Sequence, residues 1–179
     1  MPAERLGLAL LALLVAAANL LPGETVEWRR EAIMRGELWR LWSGQLCHWS
    51  SAHLAGNLAA MAAVGVIAGR PVRRGLAALP LAAPLLSLFL LVAAPALESY
   101  RGLSGLVGVL VVGAVLTGGG PGRLLGLAYL GKLTFDIATG GGSALLPAGI
   151  AVTWQAHLGG LLIGTALAVA FRRLDAGRH

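Results

Sequence analysis

Long apolar stretches separated by short polar segments run the length of the chain. They lie near Leu6–Leu21, Ser51–Ala68, Gly75–Ala94, Leu103–Leu116, Leu124–Ala138 and Gly149–Phe171. A helical membrane crossing needs about 17 to 25 mostly apolar residues, so the pattern predicts six crossings. The first stretch follows Arg5, but no small-x-small cleavage site precedes Gly23, and it reads as a span rather than a signal peptide. The fourth and fifth are short, which suits helices that begin below the surface at a water-filled cavity. No internal repeat, low-complexity tract or soluble domain interrupts the pattern. Residues 1–179 therefore read as a single membrane domain, an all-α polytopic bundle.

The polar segments set the orientation. With a cytoplasmic N-terminus, the inner side carries Arg5, Arg70, Arg73, Arg74, Arg123, Arg172, Arg173 and Arg178. The outer side carries Arg29, Arg30, Arg35, Arg40 and Arg101, interleaved with Glu24, Glu27, Glu31, Glu37 and Glu98. Positive residues favour the inside, so both termini are expected in the cytoplasm. The first outer loop, Pro22 to Ser50, holds Trp28, Trp39, Trp42 and Trp49, and tryptophan favours the headgroup layer. That loop is expected to lie in the interface, partly helical.

Composition agrees: 57% of residues are hydrophobic, 12% are charged and the mean hydropathy is +0.77, which excludes an ordinary soluble enzyme. A net charge of +6 is compatible with nucleic-acid binding, yet no basic run with interleaved aromatics exists, so no nucleic-acid partner is expected.

Polar residues inside apolar stretches are costly and by default functional. Three such patches occur: Cys47 to Asn57, Gly102-Leu103-Ser104-Gly105, and Ala156-His157-Leu158-Gly159-Gly160. On the topology above, His53 and Asn57 fall within the first two turns of the second span. Being four apart, they share one helix face. Ser104 opens the fourth span. His157 lies eight residues past Gly149, about 12 Å along a helix. All sit in the outer half of the bilayer, whereas a transporter needs polar groups on both sides of the midplane.

The chemistry these residues offer is acyl transfer. A serine hydroxyl attacks only when a base takes its proton, and His157 is the natural base for Ser104. Lys132 and Asp136 lie four apart on the fifth span as a compensating ion pair, and Glu98 is in a loop, so a Ser-His dyad is expected rather than a triad. Backbone N–H groups at the start of the fourth span, Leu103 among them, together with His53 and Asn57, are the candidate oxyanion donors. Gly102 and Gly105 leave room for a substrate backbone. Gly160 and Gly164 let the sixth span press on the glycine-rich fourth. The chain has neither His-Glu-x-x-His nor Gly-x-Gly-Asp, and His48 and His53 are about 140° apart around a helix, so no metal or cofactor is expected. Cys47 and His48 are adjacent and do not face each other, which disfavours a cysteine nucleophile.

Trp39-Arg40, His48, His53, Asn57, Gly102-Leu103-Ser104-Gly105, Ala156-His157, Gly160 and Gly164 together resemble, in order and spacing, the rhomboid family of intramembrane serine proteases. The resemblance implies a six-helix bundle, Ser104 as nucleophile, His157 as general base, oxyanion support from His53 and Asn57, and a structural His48. Arg30-Glu31-Ala32-Ile33, Gly36-Glu37-Leu38-Trp39-Arg40-Leu41 and Trp154 to Gly160 are further similar to the rhombosortase branch. This implies a bacterial inner-membrane enzyme cleaving C-terminal Gly-Gly, single-helix, basic-tail sorting signals. The alternatives are a general rhomboid protease with other single-span substrates and a non-catalytic relative that binds membrane proteins. The latter normally lacks the serine or the histidine, and both are present here. One departure stands out: Gly108 occupies the place where many rhomboids have a tyrosine packed on the catalytic histidine. Closer helix packing or another group, with Trp154 the candidate, is then expected to orient His157.

Overall fold

The computed structural model describes residues 2–177, so Arg178, counted above on the inner side, lies outside the described residues. In chain order the elements are α1 (Ala3–Ala18), α2 (Gly23–Val26), β1 (Trp28–Arg29), α3 (Arg30–Met34), α4 (Arg40–Ser43), α5 (Ser51–Ala68), α6 (Val72–Ala93), β2 (Ser99–Tyr100), α7 (Ser104–Thr117), α8 (Gly119–Thr139) and α9 (Trp154–Ala176). Among the described residues the architecture is helical, with one two-stranded antiparallel ribbon in which Trp28 pairs with Tyr100 and Arg29 with Ser99. The long helices α1 and α5 to α9 coincide with the apolar stretches of the sequence. Three of them, α5, α6 and α9, are long and apolar enough to cross a membrane by length and composition.

The two helix starts furthest from expectation have clear reasons. α8 begins at Gly119, ahead of Leu124, because Pro121 falls in its first turn, where a missing N–H leaves no gap. α9 begins at Trp154 instead of Gly149, because Gly149 has φ +82°, outside the helical region. Residues 140–153 form a connection pinned by Val152 N–H donating to the Gly141 carbonyl at 2.7 Å. His157 is therefore the fourth residue of α9, within its first turn, and not about 12 Å into a helix.

α7 is the central element, packed by α5, α6, α8 and α9. It is apolar all round, and its residues from Gly105 to Val111 are all buried. It is 14 residues long, and its exposed apolar side chains, Val115 and Leu116, fall near its C-terminal end. The main core joins it to Val15 of α1, Val64 of α5 and Leu86 of α6.

The connection between α1 and α5 clamps α6. Pro84 has no N–H to give the Pro80 carbonyl, and Trp42 Nε1 donates to it instead at 2.9 Å. Ser87 receives Gln45 Nε2 on its hydroxyl and Trp28 Nε1 on its carbonyl, and its own hydroxyl donates to the Leu41 carbonyl. Among the last carbonyls of α6, that of Leu91 would otherwise go unpaired, because Pro95 four residues on has no N–H to give it. The Arg30 guanidinium takes those of Leu90, Leu91 and Ala94, and that of Leu97 beyond. Trp28 is fully buried in this arrangement, contrary to the expectation that the loop's tryptophans lie in the headgroup layer; Trp39 and Trp42 are exposed.

α7 and α9 meet backbone to backbone. A Cβ on Gly160 would overlap the Gly105 carbonyl oxygen, and one on Gly164 would lie 2.9 Å from Val109 Cα. Overpacking a tight contact costs about 1–3 kcal/mol, so Gly160→Ala is expected to lower the thermal midpoint in detergent by roughly 3–10 °C. Gly113→Ala, whose added Cβ meets nothing within 4 Å, is expected to leave it unchanged or raise it slightly, since alanine favours a helix interior over glycine. Equal midpoints for the two variants, measured by differential scanning fluorimetry, would refute the contact.

Candidate active site

The polar residues singled out in the sequence converge on one cavity of about 310 Å³, lined by Ser104, His157, His53, Asn57, Tyr100 and Tyr129. The 140–153 connection contributes Ser143, Leu145, Leu146 and Val152 to its wall. Ser50 ties that wall to α5: its hydroxyl caps the helix by accepting from His53 N–H at 3.0 Å and donates to the Leu145 carbonyl at 2.7 Å.

Ser104 is the first residue of α7. A helix N-terminus presents backbone N–H groups without intrahelical partners and a positive dipole end, the requirement for an oxyanion. The turn into it is set by Gly102, whose φ of +147° disfavours any side chain, and an added Cβ would lie 3.0 Å from His53 Cε1. Leu103 departs from expectation. Its N–H donates to His48 Nε2 at 3.4 Å and its side chain is in the core, so it is not a free oxyanion donor. Accepting at Nε2 leaves the proton of a neutral His48 ring on Nδ1. Burial pushes the His48 imidazole down to about 4, His53 adds to this and the Leu46 carbonyl opposes it, so the ring is neutral near pH 7. His48 thus fixes the strand-to-helix turn that carries Ser104.

Asn57 lies one turn beyond His53. One Nδ2 hydrogen goes to the His53 carbonyl at 3.0 Å, and the amide has a second to offer the cavity. Gly105 sits against α9, where an added Cβ would lie 2.8 Å from the Ala156 carbonyl oxygen. Ser104 and His157 line the same cavity, with no direct hydrogen bond between their side chains among the described residues.

The surroundings of His157 correct the expectation that no carboxylate reaches it. Asp136, only 1% exposed, places Oδ2 3.0 Å from His157 Nδ1. Lys132 Nζ bonds both oxygens of that carboxylate at 2.9 and 2.8 Å, so the predicted ion pair forms and also touches the histidine. The ring expected from Trp154 comes instead from Tyr129, which stands edge-on to His157 with centroids 5.7 Å apart. Its hydroxyl donates to the Ser104 carbonyl at 2.8 Å and lies 2.5 Å from where a Cβ on Gly108 would be. α8 thus fills the space that Gly108 leaves open.

Tyr129, Lys132 and Asp136 form an i, i+3, i+7 stripe on one face of α8. That signal was present in the sequence, but the charges read as a self-contained pair. Tyr100 carries no such signal in the sequence; its hydroxyl donates to the Gly102 carbonyl at 2.6 Å. Burial raises its phenol, with the Ser104 hydroxyl acting in the opposite sense. Nearby, Arg101 pairs with buried Glu27 at 2.9 Å and stacks over Trp49, so the loop after α6 is tied to the loop before α5. Cys47 is buried, and burial pushes its thiol up to about 12, which leaves it protonated and inert.

A family model described as Rhomboid domain matches residues 35–174. The chain belongs to the rhomboid family. Rhomboids are generally intramembrane serine proteases acting on membrane proteins, and with its apolar helices this rhomboid is an integral membrane protein. The matched span runs from the end of α3 nearly to the end of α9 and includes every residue lining the cavity. The chain matches no curated protein.

In this rhomboid Gly108 and Tyr129 compete for one volume, and residues sharing a volume show non-additive stability effects of about 0.5–3 kcal/mol. Gly108→Tyr and Tyr129→Gly are each expected to lower the thermal midpoint. The double exchange is expected to recover part of both losses. Strictly additive losses in thermal melts of the four proteins would refute the shared volume.

Proposed function

We propose that this rhomboid is an intramembrane serine endopeptidase in which Ser104 and His157 act as nucleophile and general base. It crosses a bacterial inner membrane six times as one domain, residues 1–179, with both termini cytoplasmic and the cavity opening to the outer side. The observation that carries the reading is that Ser104, at the N-terminus of α7, and His157, in the first turn of α9, line one small cavity together with His53 and Asn57.

Ser104 Oγ attacks the scissile carbonyl carbon while its proton passes to His157 Nε2. The carbonyl oxygen becomes an oxyanion, held by N–H groups at the start of α7, the second Asn57 Nδ2 hydrogen and His53. Collapse breaks the C–N bond, and His157 returns the proton to the leaving amine. Water then adds to the acyl-enzyme by the same route and frees Ser104. Buried His48 and Gly102 keep the nucleophile turn fixed, and Gly160 and Gly164 keep α9 at its working distance from α7.

The substrates are membrane-anchored proteins, with C-terminal Gly-Gly sorting signals of exported proteins the favoured class. A substrate helix must unwind before its peptide reaches Ser104, and Gly-Gly has weak helical preference and little bulk. A wall built from Gly56 and Ala60 of α5 and the 140–153 connection suits such small residues.

Because Ser104 and His157 act as a unit, Ser104→Ala, His157→Ala and the double variant are expected to lose similar amounts of activity. Cys47→Ala is expected to stay near the parent rate. The measurement is cleavage of a Gly-Gly-tailed substrate by purified protein in detergent, with sequencing of the new terminus. Near-normal cleavage by Ser104→Ala would end the serine mechanism.

Replacing Gly-Gly by Val-Val in the same substrate is expected to reduce kcat/KM at least about tenfold, roughly 1.4 kcal/mol of transition-state stabilisation. Equal cleavage of both substrates would leave a general rhomboid protease and remove the Gly-Gly preference.

A further inference from the structure

The stripe Tyr129, Lys132 and Asp136 does more than satisfy itself. Lys132 has half its side chain exposed, while Asp136 is 1% exposed and turned toward α9. Its Oδ2 accepts from Lys132 Nζ and lies 3.0 Å from His157 Nδ1. A carboxylate held as acceptor by an ammonium has only lone pairs to offer the ring, so the proton of neutral His157 sits on Nδ1 and Nε2 keeps its lone pair. Nε2 is the atom needed to take the Ser104 proton. When it does so, the positive ring that results has a buried carboxylate against its other nitrogen.

We infer that Asp136 is a positioning residue for His157, so that this rhomboid works with a Ser104–His157–Asp136 relay in place of an unsupported dyad, and that Lys132 serves it by holding the carboxylate as an acceptor. The inference rests on Ser104 and His157 being nucleophile and base. Tyr129 completes the arrangement from the same helix: its ring limits tilting of the imidazole, and its hydroxyl ties α8 to the Ser104 carbonyl. Three side chains on one face of α8 therefore fix tautomer, tilt and distance at a site whose nucleophile and base lie on α7 and α9.

The test uses the full chain with the Gly-Gly-tailed substrate, reading kcat and KM separately, together with the labelling rate of Ser104 by a fluorophosphonate probe and the thermal midpoint. Asp136→Ala is expected to lower kcat and the labelling rate by at least about 10²-fold, with KM changed by less than about threefold, because orientation and charge support act on the transition state. Asp136→Glu, which keeps an acceptor, is expected to recover at least about tenfold of that loss. Lys132→Met, which leaves the buried carboxylate without its cation, is expected to lower kcat, but by less than Asp136→Ala, because the acceptor itself remains.

The double variant Lys132→Met/Asp136→Leu leaves no charge unpaired, so it folds if the pair is only structural. It is expected to remain as slow as Asp136→Ala even where its midpoint returns to that of the parent. Restored kcat in the double variant, or Asp136→Ala within about threefold of the parent, would overturn the positioning role. Ser104→Ala in the same assay separates the two readings. An inactive Ser104→Ala beside a fully active Asp136→Ala overturns the positioning role alone; an active Ser104→Ala overturns the dyad and the positioning role with it.

Discussion

The backbones of α7 and α9 touch because no side chain stands between them. Gly160 faces the Gly105 carbonyl and Gly164 faces Val109, and Gly105 directly follows Ser104 while Gly160 lies three residues beyond His157. In lipid there is no hydrophobic gain from bringing two apolar helices together, so close packing must supply it. The same packing sets how far apart the two polar residues of the site can be. The cavity lies beside this contact, where the 140–153 connection contributes irregular chain to its wall.

Irregular backbone at such a place is tolerated only where its polar groups find partners. Ser50 serves both sides of the cavity wall, and His48 takes the Leu103 N–H. Farther out, the connection from α1 to α5 meets the same demand by feeding α6. Arg30 closes the end of that helix, and Trp42 occupies the carbonyl that Pro84 leaves idle. Arg40 holds the loop from within, donating to the Glu24 and Glu27 carbonyls. A segment that looks like interfacial packing thus works as a set of donors for stranded carbonyls.

The helices were legible where apolar length alone decides them, as with Ser51–Ala68, whose Ser50 cap and Gly69 terminus are both written locally. The start of α9 was not, because Gly149 to Thr153 reads as part of an apolar stretch while the positive φ of Gly149 lies outside the helical region. Ser104, His157, His53 and Asn57 were legible because polar groups are rare in such stretches, and they do gather in one cavity. Trp28 and Asp136 were misread for a shared reason. Each has a satisfying local explanation, headgroup anchoring for one and Lys132 for the other, and only the packing of a distant helix shows its second partner. Leu103 failed differently, since whether a backbone N–H is free depends on His48, which is far away in sequence.

Gly108 and Tyr129 behave as a single packing unit shared by two helices. A chain with rings at both positions cannot close α8 onto α7, and a chain with neither leaves His157 beside a void. The two positions are therefore free to vary only together. A ring four residues after the serine and a ring on the neighbouring helix are two ways of writing the same wall, so inspecting the serine helix alone would mistake this site for an incomplete one.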